Sequence, residues 1–305
     1  MQGTNQITLK KRPRTKAQVK DAIVDLIIKI VLALIALTCV LPFIHVLAKS
    51  LSNEAYVIAQ KVYLLPKGLN IEAYKKVVSD YSIIRSFFVS VFVTVTFTLI
   101  GMILTVFAAY PLSRKDLKWR KPITLIFMFT LYFSGGIIPE YLLMNNLGLL
   151  DNIWSIILPL AFSPYNLLIM KTSFQATISD SLIESATIDG ATQFRILRSI
   201  ILPLSKPILA TISLFYAVGR WNAYQDALFY IKQNTAIRPL QLKLYYLIST
   251  STEAVNAALE GTAQYTNPEV LKAACIIFTT LPIICVYPFI QKYFVKGTMI
   301  GAVKG

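Results

Sequence analysis

Apolar residues along the chain gather into six runs, at about residues 27–47, 87–110, 123–143, 153–170, 207–230 and 273–289, with polar segments between them. About 20 mostly apolar residues are needed to cross a hydrocarbon core of about 30 Å, so each run is near spanning length. The pattern predicts an all-α integral membrane protein with six transmembrane helices and both termini on one side. The first run follows a polar, basic segment and so invites comparison with a signal peptide. It is too long for a signal h-region and no A-x-A site closes it, so a retained first helix is expected. The organisation predicted is a basic segment over residues 1–20 and one membrane domain over residues 21–305.

Composition agrees with a bilayer as the main solvent. Of the 305 residues, 55% are hydrophobic and 15% charged, and the mean hydropathy is +0.60. Soluble domains carry about 25% charged residues. The net charge of +15 suggests nucleic acid in a soluble protein. Here the basic residues flank the apolar runs, which membrane topology explains without nucleic acid. If the N-terminus is cytoplasmic, the inner segments carry 18 Lys and Arg and the outer ones 10. The short loop 114–121, with five basic residues, weighs most. Both termini are therefore expected in the cytoplasm. Cys39, Cys275 and Cys285 lie in apolar runs without metal-ligand spacing, so neither a disulfide framework nor a zinc site is expected.

The connection between the fourth and fifth runs is polar yet patterned. Ser181 and Glu184 have the spacing of a capping box, which predicts a short helix starting near Ser181. Asp189-Gly190 should end it, because glycine accepts the left-handed conformation at a helix C-terminus. A second helix is expected from about Ala191 to Ile201, with Phe194, Leu197 and Ile201 on one apolar face. Pro203 and Pro207 are expected to close it. Pattern alone allows either an amphipathic hairpin on the lipid surface or a rigid knob projecting into the cytoplasm.

The residues of that hairpin, 181–203, narrow the choice. Glu184-Ser185-Ala186-Thr187-Ile188-Asp189-Gly190-Ala191, followed by Ile200-Ile201-Leu202-Pro203, resembles the EAA loop of ABC importer permeases. Ser185 stands where that pattern prefers alanine. The Asp189-Gly190-Ala191 corner resembles carbohydrate importers. Phe133-Ser134-Gly135-Gly136, Asn146-Leu147-Gly148-Leu149-Leu150-Asp151, Trp221-Asn222, Pro239-Leu240-Gln241 and the tail 296–305 resemble the branch of that family assigned to complex oligosaccharides such as aldouronates. The resemblance implies a type I importer permease fold, and a heterodimer with a homologous second permease beneath an extracellular solute-binding protein. Two cytoplasmic ABC ATPase subunits are implied below. Glu184, Ser185, Ala186, Asp189, Gly190, Ala191, Phe194, Leu197 and Pro203 would form the ATPase-coupling element, with Phe194 and Leu197 anchoring it by packing. No G-x-x-x-x-G-K-[ST] pattern occurs, so ATP and Mg²⁺ are expected on the ATPase and no cofactor or catalysis on this chain.

Polar residues inside spans are costly and mark functional positions. The fifth run carries Trp221, Asn222, Tyr224, Gln225 and Asp226. On a continuous helix Asn222 and Asp226 share a face, and Trp221 and Gln225 the neighbouring one. Lining of an outward-opening oligosaccharide path is one reading; an interfacial belt sealing a subunit contact is the other. The third run is interrupted at Ser134-Gly135-Gly136 with Pro139-Glu140 after it, which predicts a kinked helix and makes Glu140 a candidate for the path. A secondary transporter would need a matched pair of broken repeats. A membrane enzyme would need an acid–base cluster, and the chain has one histidine and scattered acids.

Overall fold

The computed structural model describes residues 16–259 and 269–302, with side chains over residues 23–249 and 269–288. Most of the basic segment expected at the N-terminus and the last three residues of the tail lie outside the described residues. The described residues form helices and connecting turns without strands.

At the centre stands α4 (Tyr81–Ser113). Its buried positions Ser86, Ser90, Val93, Phe97, Gly101, Thr105 and Ala109 recur every three or four residues and so lie on one face. Most are small, which lets neighbouring helices approach in an apolar solvent where shape complementarity, not water exclusion, drives packing. α7 (Pro164–Thr177) and α11 (Lys206–Asn222) pack along this stripe. Gly101 marks the tightest approach: a Cβ there would stand 2.7 Å from the Ala161 carbonyl oxygen and 2.9 Å from the Tyr216 ring. α14 (Glu269–Ala302) packs on α11 and also carries α1 (Lys16–Ser50). The apolar stretch of α1 has no buried residue, so that surface is left for lipid or another chain.

α1, α4 and α14 are long and apolar enough to cross a membrane, and up to five spans result if two sharply bent helix pairs each count as one. The expected third span divides into α5 (Arg120–Tyr132) and α6 (Ile137–Asn146), bent by 107°. Gly136 at φ +84 makes the corner, where the Ser134 hydroxyl accepts from its N–H at 3.2 Å. The expected fourth span is not one helix. A 3₁₀ turn covers Ile153–Ile156, Leu160 takes φ +62, and the helix proper begins only at Pro164, capped by Ser163. Pro159 and Pro164 remove backbone donors in the middle of the apolar run, and the residue before a proline avoids the α region. The expected fifth span stops at Asn222 and resumes as α12 (Gln225–Tyr230).

Short helices α2 (Glu54–Ile58) and α3 (Glu72–Ser79) cap the ends of α1 and α14, and α13 (Leu240–Leu259) leans on α4.

Candidate functional site

The hairpin between α7 and α11 is built from α8 (Asp180–Ile188), α9 (Gln193–Ile196), a π turn over Leu197–Ile201 and a last turn, α10 (Leu202–Leu204). The expected capping box does not form. Ser179 is the N-cap, Ser181 sits inside the helix, and its hydroxyl donates to the Ser179 hydroxyl at 3.2 Å. In its first turn the Lys115 ammonium hydrogen-bonds the Asp180 carboxylate at 2.7 Å. That hydrogen bond keeps the Asp180 carboxyl below the usual carboxylate range. The corner forms at Gly190, φ +77. Ala191 N–H donates to Ala186 O and Gly190 N–H to Thr187 O, both at 3.0 Å, the two bonds of a Schellman close. The second helix starts two residues later than expected, at Gln193, with Thr192 as N-cap. Pro203 does not stop it. The π turn precedes this proline, with Leu202 N–H donating to Leu197 O, and the path bends by 84° at Ser205 into α11.

Ile183, Ile196, Leu197 and Ile201 bury themselves in the core beside Leu112, Phe174 and Ile178. The Tyr110 hydroxyl donates to Gln193 Oε1. Leu197 thus anchors the hairpin, but Phe194 does not: it is 60% exposed. Ile188, 87% exposed, flanks the corner together with exposed Glu184, Ser185 and Asp189, while Ala186 and Ala191 pack partly against the core and Pro203 is exposed. The hairpin presents an apolar tip with the Glu184 and Asp189 carboxylates beside it, and packs against the core from behind.

The second site is a cavity of about 590 Å³ at the break between α11 and α12. Asn222, Tyr224, Gln225 and Asp226 line it from the break, and Glu140 from the first turn of α6. Trp221 does not join them. It is 7% exposed, turned to the opposite side of α11, with its ring edge-on to Phe87 and its indole N–H donating to Thr279 O at 3.1 Å. Because the helix breaks after Asn222, the expected shared face with Asp226 does not exist either; the two meet in the cavity from separate helices. Asn222 folds its amide back, donating to Val218 O at 3.0 Å.

Across the break runs a bidentate ion pair. Arg220 Nη1 and Nη2 lie 2.5 and 2.8 Å from the Asp226 oxygens, and Nη1 also donates to Ile156 O at 3.0 Å. The side chains are 3% and 16% exposed. This pair neutralises both charges where a lone ion would be very unfavourable, and it ties the 3₁₀ segment 153–156 to both halves of the broken helix.

Residues 21–300 match the family described as the binding-protein-dependent transport system inner membrane component. The chain belongs to that family. This permease is 44% identical over 287 residues to the polygalacturonan/rhamnogalacturonan transport system permease protein YtcP of Bacillus subtilis (strain 168), an alignment covering 94% of this chain and 100% of that one. It is 42% identical over 268 residues to protein LplC of the same organism, covering 87% of this chain and 90% of that protein. It also superposes, with a TM-score of 0.80 and 34% identity over 93% of this chain and 100% of the other, on a chain in the crystal structure of a bacterial ABC transporter involved in the import of the acidic polysaccharide alginate. It is thus a multi-pass membrane subunit with the fold of an ABC importer permease.

Two clusters of the permease escape sequence reasoning. The Tyr216 hydroxyl pairs with Thr105 Oγ1 at 2.7 Å and accepts from Ser163 N–H at 3.0 Å, while its ring meets Phe97 edge-on. One phenol thereby joins α4, α11 and the start of α7, residues 53 and 111 positions apart in the chain. Asp151, φ +56, accepts from Gln233 N–H at 2.7 Å and Asn234 N–H at 3.0 Å. Those backbone donors, Asn234 foremost, hold its carboxyl below the usual range. The Asn146–Asp151 motif carries this tie, but nothing in its own sequence points to residues 233–234.

Proposed function

We propose that this chain is the permease half of an importer that takes up oligosaccharides delivered by an extracellular solute-binding protein. It pairs with a homologous second permease and is driven by two cytoplasmic ABC ATPase subunits that alone hold ATP and Mg²⁺. Both termini face the cytoplasm, as the excess of inner basic residues requires. The carrying observation is the near full-length similarity, at 44% identity, to a permease named for polygalacturonan and rhamnogalacturonan. The coupling element is the hairpin 181–203. Its apolar tip, Ile188 and Phe194, suits a hydrophobic groove on the ATPase, and Glu184 suits a basic residue beside it. The buried back, with Leu197, transmits the push to α7 and α11. The path for sugar passes the cavity of Glu140, Asn222, Tyr224, Gln225 and Asp226, whose amides, carboxylates and phenols are the groups that hydrogen-bond hydroxyls. The chain itself performs no catalysis.

The test is purification of the chain in mild detergent from cells expressing its transport system. Wild type should bring down a second permease and an ATPase. Glu184→Ala combined with Gly190→Leu should keep the permease and lose the ATPase. Wild type eluting without an ATPase would refute the assignment.

A further inference from the structure

A second cavity, about 460 Å³, adjoins the first and shares Leu160, Arg220 and Ala223 with it. It is walled by Phe97 of α4, Ser163, Tyr165 and Asn166 at the start of α7, and Phe215 and Tyr216 of α11. Its volume is in the range of small-molecule sites, which combine an apolar and aromatic lining with a few placed polar groups. Asn166 is the placed polar group. It sits three residues after the Ser163 cap, and its backbone N–H donates to the Ser163 hydroxyl. The residue is only 6% exposed; among the described residues its side-chain amide makes no hydrogen bond, and its polar atoms are not among the enclosed ones, so they open on the cavity. A primary amide offers two donors and an acceptor oxygen to whatever enters the cavity.

Arg220 does not supply the missing partner and does not offer its charge to a ligand. Its terminal nitrogens are taken by Asp226 and Ile156 O, and Nε is enclosed without a partner. Among the described residues no other charged side chain lines this cavity. Aromatic rings, one amide and a neutralised guanidinium are the surroundings for a polar ring with apolar C–H faces and hydroxyl edges.

We propose that this cavity is a sugar subsite in which the Asn166 amide hydrogen-bonds ring hydroxyls while Phe97, Tyr165 and Phe215 bear on the ring face. Because the two cavities meet at the helix break, they accommodate consecutive units of one oligosaccharide. The proposal rests on the oligosaccharide reading above and adds Asn166 as a determinant of passage.

The experiment uses the whole complex, reconstituted in proteoliposomes with its binding protein, carrying wild type, Asn166→Leu or Asn166→Gln. Uptake of digalacturonate, dimannuronate, arabinotriose and raffinose is measured beside ATP hydrolysis. For each probe that wild type carries, Asn166→Leu should lower uptake about tenfold, the equivalent of about 1.4 kcal/mol, with ATP hydrolysis near wild type, so that sugar moved per ATP falls. Asn166→Gln, which keeps the amide, should retain most of the uptake. Unchanged uptake per ATP in Asn166→Leu overturns the subsite. Failure of that variant to retain the second permease also overturns it, by assigning the amide to a subunit contact. If wild type carries none of the probes, the oligosaccharide reading itself fails and the subsite falls with it.

Discussion

The Arg220–Asp226 pair invites a test by a double-mutant cycle, because its two ends differ in surroundings. In Asp226→Asn the guanidinium stays 3% exposed, facing Ile156 O at 3.0 Å and the Phe97 ring at 5.6 Å. An unpaired buried charge of this kind costs about 3–5 kcal/mol. In Arg220→Met the carboxylate keeps the Ala227 N–H at 2.9 Å and lines the larger cavity, where water reaches it. The loss there is that of charge-assisted hydrogen bonds, about 1.5–3 kcal/mol. Arg220→Met/Asp226→Asn removes both charges and leaves no buried ion unpaired, so it should be milder than Asp226→Asn, within about 2 kcal/mol of wild type. Stability would be read by unfolding the purified complex in mixed micelles. The expected order is wild type, double variant, Arg220→Met, Asp226→Asn. A double variant as unstable as the sum of the two single ones would refute the reasoning, because it would mean the charges do not compensate each other across the break.

Other outcomes follow from single positions. Gly101→Ala should destabilise by about 1–3 kcal/mol, since its Cβ would meet the Ala161 carbonyl oxygen at 2.7 Å; the same unfolding assay reads it. Trp221→Phe should cost about 1 kcal/mol for the lost bond to Thr279 O while leaving the relative uptake of different sugars unchanged, because the ring faces away from the cavity. Gly190→Ala should strain the corner by about 1–2 kcal/mol through its φ of +77, with no steric clash, and weaken retention of the ATPase. The Asp180 carboxyl is held low by Lys115, so the stability it contributes is present above its unfolded value of about 3.8 and is lost as pH falls through the lower folded one. A pH series of melting temperatures should show a smaller loss at low pH in Asp180→Asn than in wild type, since Asp151 titrates low in both.

Much of the architecture was legible because the bilayer demands it. Apolar runs of spanning length placed α1, α4 and α14, and the glycine pair at 135–136 marked the break of the third span. The Gly190 corner was legible for a local reason: a left-handed close to a helix is a property of the residue itself. Errors arose where local rules competed. Ser179 and Ser181 both can cap α8, and a contact from Lys115, 65 positions away in the chain, accompanies the earlier start. Pro159 and Pro164 interrupt the fourth run, which hydropathy alone does not register.

Only the tertiary structure decided the face of each polar residue in the fifth span. Nothing between Arg220 and Asp226 is a helix breaker, so periodicity continued one helix through Ala223 and Tyr224 and put Trp221 beside Gln225. The chain breaks there instead, with Arg220 bridging to Asp226 and to the carbonyl of Ile156, 64 positions earlier. Tyr216, Thr105 and Ser163 meet for the same reason: hydrogen bonds buried in a low-dielectric interior form between whatever groups packing brings together. The sequence alone therefore determined that the chain spans a membrane and carries a hairpin that turns at Gly190, because hydropathy and glycine chemistry act over a few residues. Which polar atoms line the cavities, and that Asn166 is left unpaired, depend on contacts that close only when distant helices pack.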